Sequence, residues 1–387
     1  MLRYVTAGES HGKQLTVILE GIPAGLPLTA EYINRDLARR QTGFGRGARM
    51  KIEKDGVEIL SGVRFGETLG SPICLAIKNI DWENWRYIMS AEPGKEDSKN
   101  VYQVCPRPGH ADLPGAMKFD RRDLRDILER ASARETAARV AAGSVCRRLL
   151  EEFGVGIFSF VREIGGIKAS IGKLGNKDIV KLAEGSPVRT PDAKAEKKMM
   201  KLINKAGGKG DTVGGVFTLV AENVIPGLGS HTQWDLKLDG RIARGLMSIQ
   251  AVKGVEFGIG FEFAERPGSQ AHDQIFYSKA KGYYRDSNNA GGVEGGITNG
   301  GDIIVSCAMK PIPSLKKPLR SVNIRTKAPS PAEAVRSDVC AVPSAGVIGE
   351  SALGFELTLA MKEKFGGDSL VEMKTNFNSY KKQIERF

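Results

Sequence analysis

Two ten-residue stretches constrain the fold most. Val17-Ile-Leu-Glu-Gly-Ile-Pro-Ala-Gly-Leu26 and Leu219-Val-Ala-Glu-Asn-Val-Ile-Pro-Gly-Leu228 share one order: an apolar run, Glu, an Ile-Pro turn, Gly and Leu. Apolar runs ending in such turns read as strands, and each is followed by a helical pattern, at 29–40 and 235–248. Each half then closes in long helical segments, 120–152 in the first and 331–342 plus 345–365 in the second. The expectation is an α+β fold in one domain over 1–387. Two related halves, about 1–165 and 210–387, share a core of helices between two mainly antiparallel sheets, with a lysine-rich segment, 166–209, at the periphery.

The first half opens with two apolar runs, Leu2 to Val5 and Leu15 to Leu19, joined through Gly8-Glu-Ser-His-Gly12. Glycine allows a positive φ and a close approach of another group to the backbone, so the connection can present Ser10 and His11. Thr29 is placed to cap a helix whose inner face carries Ile33 and Leu37. A basic, glycine-broken loop from Arg39 to Arg49 leads into strands at 50–60 and 72–78. Residues 79–117 read as irregular, and within them Arg107-Pro-Gly-His-Ala-Asp112 is a turn presenting His110.

The longest predicted helix runs from Asp120, as its cap, to Glu152. Leu124, Ile127, Ala131, Ala138, Ala141, Val145 and Leu149 make its apolar stripe. Arg130 and Arg134 lie one turn apart beside that stripe, and burying them without anionic partners would cost several kcal/mol each. Gly207 to Gly215 resembles a phosphate loop in composition, without the Gly-Lys-Ser/Thr ending of a P-loop. In the second half, polar and glycine-rich stretches occur at 248–256, 288–300 and 310–314 and at Arg336-Ser-Asp338, and Ser330-Pro-Ala-Glu333 reads as a capping box. His231 and His272 sit in polar turns and read as structural or solvated.

The net charge of +12 admits a nucleic-acid or anionic-membrane surface, or a pocket for a small polyanion. Lysines cluster at 168–209 and 362–382, whereas arginines cluster in the glycine-rich motifs. Guanidinium forks match phosphate and carboxylate, which favours the pocket. No apolar run reaches the ~18 residues of a membrane span. The five cysteines are scattered without a Cys-x-x-Cys pair, as expected of a cytoplasmic chain with neither disulfide framework nor zinc site. His11, His110, the arginines and Asp338 suit a substrate carrying phosphate and carboxylate, with an imidazole as proton donor. Three readings stand at this level: phosphate elimination, a phosphatase or phosphotransferase, and a basic nucleic-acid-binding protein.

Seven motifs decide between them. Gly8-Glu-Ser-His-Gly12, Arg40-Gln-x-Gly-Phe-Gly-Arg46, Asp81-Trp-x-x-Trp85, Arg107-Pro-Gly-His-Ala-Asp112, Arg130-Ala-Ser-Ala-Arg-Glu-Thr136, Gly292-Val-Glu-Gly-Gly296 and Arg336-Ser-Asp338 run in order along the chain. Together they closely resemble the chorismate synthase family. The resemblance implies a β-α-β sandwich with internal duplication. It implies a lyase (EC 4.2.3.5) that converts 5-enolpyruvylshikimate-3-phosphate to chorismate by anti-1,4-elimination, the last step of the shikimate pathway. Reduced FMN is required without net redox change, with NADPH as an indirect reductant, and the family assembly is a homotetramer, a dimer of dimers.

Carried onto this sequence, His11 would protonate or stabilise the reduced flavin, His110 would protonate the leaving phosphate, and Asp338 would assist proton removal. Ser10, Arg40, Arg46, Arg49, Arg107, Arg134 and Arg336 would face substrate anions, Arg40 and Arg46 also matching positions associated with NADP. The flavin would contact Ser132, Ala133, Arg134, Gln250, Ala251, Gly295, Lys310, Pro311, Ile312, Pro313, Ser314 and Arg336. Gln250 stands where the family commonly has Asn.

Overall fold

The computed structural model describes residues 1–47, 54–93, 102–333 and 338–387. The chain begins β1 (Arg3–Ala7), β2 (Gln14–Glu20), α1 (Ala30–Gln41), β3 (Val57–Ser61) and β4 (Ile73–Lys78). It continues through α2 (Asp112–Phe119), α3 (Arg125–Ala131) and α4 (Thr136–Glu151). Then come β5 (Gly156–Ile164), β6 (Ile167–Lys168), α5 (Asn176–Gly185), α6 (Ala193–Gly208), β7 (Gly215–Glu222), α7 (Leu238–Met247), β8 (Val252–Phe257), β9 (Ile303–Met309), α8 (Val342–Phe365) and α9 (Leu370–Glu385). Short hairpins and single turns fill the intervals.

Strands β1, β2, β4 and β3 lie side by side in that order, all antiparallel. Strands β5, β7, β9 and β8 repeat the order, with β6 beyond β5. In both sheets a helix (α1 or α7) follows the second strand and a long helix (α4 or α8) comes after the fourth. Residues 156–164 precede the expected division near 165 but pair in the second sheet.

Alternation explains how each sheet finds the core. Leu15, Val17 and Leu19 of β2 are buried while Ile18 between them is exposed, as a strand covered on one face requires. Thr29 caps α1, its hydroxyl accepting from Tyr32 N at 3.2 Å, and Ile33 and Leu37 point fully into the interior. Helix α4 packs on the first sheet, α8 on the second, and the two pack on each other. Gly143 permits that contact: a Cβ there would lie 2.3 Å from Cβ of Ser351 on α8. The fold is α+β, with helices between two antiparallel sheets.

Four local expectations fail. The 120–152 segment is not one helix. Asp120 adopts φ 49°, ψ 46° and ends α2 instead of starting a helix, its N–H donating to Ala116 O. Ser132 is extended and caps a 3₁₀ turn at Ala133–Glu135, its hydroxyl accepting from Arg134 N. The apolar stripe runs across this break, so spacing alone conceals it. The capping box at 330–333 opens no helix: Pro329–Pro331 pairs with Arg320–Val322, and the helix begins at Val342 with Pro343 in its first turn. Gly207 and Gly208 end α6 and Gly215 starts β7, so that stretch is a helix-to-strand turn and not a phosphate cradle. Residues 79–117 are more regular than expected, holding a helical turn at Trp82–Trp85 and the start of α2.

The lysine-rich segment folds as two helices that do more than skirt the surface. Ile179 and Ala183 of α5 cover Phe158, Phe160 and Val220 on the outer face of the second sheet, and Met199 and Ile203 of α6 enter the main core.

Candidate active site

The breaks and loops gather at one end of the sandwich, around a cavity of about 600 Å³. The turn between β1 and β2 supplies Ser10 and His11. Gly8 takes φ 109° there, and a Cβ would sit 2.3 Å from Gln14 O. Both carboxylate oxygens of Glu129, on α3, lie 2.9 Å from His11 Nδ1, and Oε2 also accepts from His11 N–H at 2.9 Å. The imidazole stacks on Trp85, with centroids 3.9 Å apart and planes 24° from parallel. Burial alone would raise the Glu129 carboxyl, but hydrogen bonding and charge from His11 outweigh it and hold it below the usual range.

His110 also has a carboxylate beside its ring. The turn after Arg107 is closed by His110 N–H donating to Arg107 O at 3.1 Å. His110 Nδ1 lies against Asp112 Oδ1. Asp112 Oδ2 accepts from Arg107 N and Nε at 3.2 and 3.0 Å, and Arg107 Nη1 donates to Ser314 Oγ at 3.1 Å. Burial opposes the charge on Asp112, yet His110 and Arg107 bring its pKa down to about 2. It is therefore a fixed anion behind His110.

The buried arginines are also partnered from within the protein. Asp55, with no exposed side-chain surface, takes Arg40 Nη1 at 3.0 Å on one oxygen and Arg134 Nη1 on the other. Arg40 also donates to Thr136 Oγ1 at 3.0 Å and Ala133 O at 3.2 Å, and Arg134 Nε donates to Asn79 Oδ1 at 2.9 Å. Arg130 does not share a face with Arg134 as one helix would require; it turns away to Thr6 O and Gly8 O. Arg46 bridges Ser344 Oγ at 2.7 Å and Asp338 Oδ2 at 3.3 Å, and Asp338 Oδ1 accepts from Gly47 N–H at 2.6 Å.

Of the residues singled out in the sequence, Ser10, His11, Arg40, Arg46, Arg107, His110, Ser132, Ala133, Arg134, Gln250, Ala251, Lys310, Ile312, Pro313, Ser314 and Asp338 all line the cavity. Pro311 does not, and Gly295 occupies an exposed hairpin turn between Glu294 and Ile297, away from it. Arg49 and Arg336 fall outside the described residues. His231 is exposed in its turn, and His272 lies near the Phe263 ring with centroids 6.4 Å apart.

Glu129, Asp55 and Trp85 contact the site's histidine and arginines, and residue-type reasoning did not pick them out. Trp85 stood in a motif but had no role. The carboxylates had one usable signal: buried arginines and histidines need a counter-charge, and the chain itself supplies it.

Leu128, Ala131, Ile249, Met309 and Ile312 give the cavity apolar lining, alongside the cationic side chains of Arg46, Arg107 and Lys310. Buried Gln250 Oε1 has no hydrogen-bond partner, while its Nε2 donates to Glu135 at 3.3 Å. Such a cavity can take a planar ring system together with several anionic groups. The Gly207–Gly215 turn lies outside it, but Thr212 Oγ1 donates to Ile312 O at 2.7 Å and so braces one wall.

Comparison with known proteins points in one direction. The family model described as chorismate synthase matches residues 2–361. A chorismate synthase from Endomicrobium trichonymphae is 58% identical over 385 residues, covering 100% of both chains. One from Geobacter sulfurreducens is 56% identical over 394 aligned residues with the same coverage. A crystal structure titled as chorismate synthase superposes with TM-score 0.81 at 47% identity, covering 100% of this chain and 99% of that one.

Proposed function

Since the chain belongs to the chorismate synthase family, we propose that its cavity carries out the family reaction with the residues the fold gathers there. The reaction is the 1,4-elimination of phosphate from 5-enolpyruvylshikimate-3-phosphate to give chorismate, the closing step of the shikimate pathway. The observation that carries the assignment of roles is the pair of carboxylate-backed histidines on one arginine-lined cavity.

The residues present fit FMN. The apolar lining suits a planar ring, Gln250 Oε1 is a buried acceptor without a donor, and cations stand ready for phosphate. When bound, reduced FMN supplies transient electron donation with no net redox change. The protein's own part is to bind, orient and move protons. Arg40, Arg46, Arg107 and Arg134 hold the phosphate and carboxylates of the substrate, in positions set by Asp55, Asp338 and Asp112. His110 gives a proton to the departing phosphate, and Asp112 keeps its ring in place. Asp338 assists removal of the ring proton. His11 serves the flavin side of the cavity, with Ser132, Ala133, Gln250, Ala251, Lys310, Ile312, Pro313 and Ser314 as the flavin's contacts. Arg49, Arg336, Gly295 and Pro311 join these sets by motif alone. The protein works in the cytoplasm as a homotetramer, and a nicotinamide reductant acts on the flavin indirectly. The division into halves at about 1–165 and 210–387 reflects an internal duplication, supported by the shared strand order.

The test is anaerobic phosphate release from 5-enolpyruvylshikimate-3-phosphate with chemically reduced against oxidised FMN. Release with chorismate formation under reduced FMN alone, without net flavin oxidation, is the expected result. Release with both flavins, or with neither, overturns the reading.

A further inference from the structure

We propose that Glu129 is the positioning residue of the His11 ring, holding Nδ1–H so that Nε2 is the ring atom that exchanges a proton with a molecule bound in the cavity. This rests on the reading of the cavity given above.

The case begins with charge. The Glu129 carboxyl is 2% exposed, and His11 holds it in its ionised form against the pull of burial. An ionised carboxylate only accepts hydrogen bonds, so the 2.9 Å contacts from Nδ1 to both its oxygens require Nδ1 to be the donor. A neutral imidazole that donates at Nδ1 carries no proton on Nε2, which is then the acceptor nitrogen.

The surroundings leave the ring little freedom to exchange these roles. Glu129 Oε2 accepts the His11 backbone N–H, and Ser10 N–H donates to Glu129 O at 3.0 Å, so the turn and α3 are joined by main chain as well as side chain. Trp85 stacks on the imidazole. Arg125, one helical turn before Glu129, lies 5.3 Å from the centroid of Trp85 and reaches Glu129 Oε1 at 3.4 Å. Three side chains from two separate segments thus fix the plane of the ring and the direction of its proton. His110 likewise has a carboxylate, Asp112, beside its Nδ1 on another part of the cavity.

The chain has four histidines, so ¹⁵N correlation spectra of histidine-labelled protein resolve every ring without flavin or substrate. The wild-type His11 ring, in its neutral form, is expected to carry its proton on Nδ1. Glu129→Gln presents an amide that can accept or donate, and is expected to give a mixture of both tautomers. In turnover, Glu129→Gln should lower kcat by at least about 10–100-fold, the scale for losing the carboxylate behind a metal-bound histidine, with KM for the substrate within about twofold. Glu129→Asp restores an anionic acceptor and should recover the Nδ1–H tautomer with part of the rate.

An Nε2–H tautomer in the wild type overturns the proposal. So does an unaltered tautomer in Glu129→Gln, or an altered tautomer with unchanged kcat. If Glu129→Gln does not fold, the wild-type and Glu129→Asp spectra decide. If the wild type releases no phosphate with reduced FMN, the functional reading fails separately, and the tautomer alone decides the place of Glu129.

Discussion

Replacing Asp55 by Asn tests how the cavity keeps its arginines. The Asp55 side chain has no exposed surface and those of Arg40 and Arg134 are 6% and 5% exposed, so water does little to screen the three charges. Burial already pushes Arg40 down to about 10, with Asp55 pulling the other way and Arg134 adding to the strain. Asparagine keeps the shape and removes the charge, leaving two buried guanidiniums side by side. Loss of one partner from a buried ion pair costs about 3–5 kcal/mol. Unfolding entropy of about 2.1 cal/mol/K per residue over 387 residues is about 0.8 kcal/mol/K. The Tm of the ligand-free protein should therefore fall by about 4–6 °C in scanning calorimetry. The variant cavity also carries one more positive charge, so inorganic phosphate should raise its Tm more than that of the wild type, with about 1.4 kcal/mol gained at ten times Kd. A Tm within about 1 °C of wild type would show that Asp55 is not the counter-charge. Equal phosphate gains in both proteins would show that the pair does not set the charge of the cavity.

Other perturbations probe separate links. His110→Ala should lose about 10²–10⁴ in kcat while substrate KM changes little, since general-acid assistance is of that size; unchanged turnover removes His110 from the proton path. Gly143→Ala forces a Cβ to within 2.3 Å of Ser351 Cβ, an overpacking cost of about 1–3 kcal/mol that exceeds the at most ~1 kcal/mol regained in helix propensity; urea unfolding should show a lower midpoint, and a raised midpoint would mean that α4 and α8 separate freely. Glu350, buried among Arg39, Arg147 and Arg189, is held at about 2, as are Glu184 and Asp112, in each case because cationic partners outweigh burial. Depressed carboxyl values stabilise the fold above the unfolded-state pKa, and that stability is lost as pH falls through the folded one. The urea midpoint should thus drop steeply between about pH 4.5 and 2, and a flat profile there would contradict the ion-pair network.

Much of this architecture was legible because it rests on local rules. The strands at Leu2 to Val5 and Leu15 to Leu19, the Thr29 cap and the paired Ile-Pro turns are written in spacing and turn chemistry, and the two turns follow the second strand of each sheet. The break at Ser132 was not legible, because Leu124, Ala138 and Val145 keep helical spacing on either side of it while the cap that causes it needs only one hydroxyl. That break is also what carries Ser132, Ala133 and Arg134 to the cavity wall, so the departure from the pattern falls where function needs it.

The counter-charges were out of reach for a different reason. Glu129 meets His11 across 118 positions and Asp55 meets Arg134 across 79, and no local pattern spans such distances. The sequence argument that buried arginines must find anions had the right physics but named no source for them, and carboxylates of the chain itself supply part of the demand. The distinction changes what substrate binding has to do. Arg40 and Arg134 share one carboxylate, Arg46 has Asp338 and Arg107 has Asp112. Four guanidiniums are thereby offset by three carboxylates before any ligand arrives, and their forks are oriented in the empty protein. On the proposed assignment of roles, an entering phosphate meets donors already held in place instead of four mobile cations. Less of its binding energy goes to ordering side chains, and more remains for interactions that strengthen as phosphate departs.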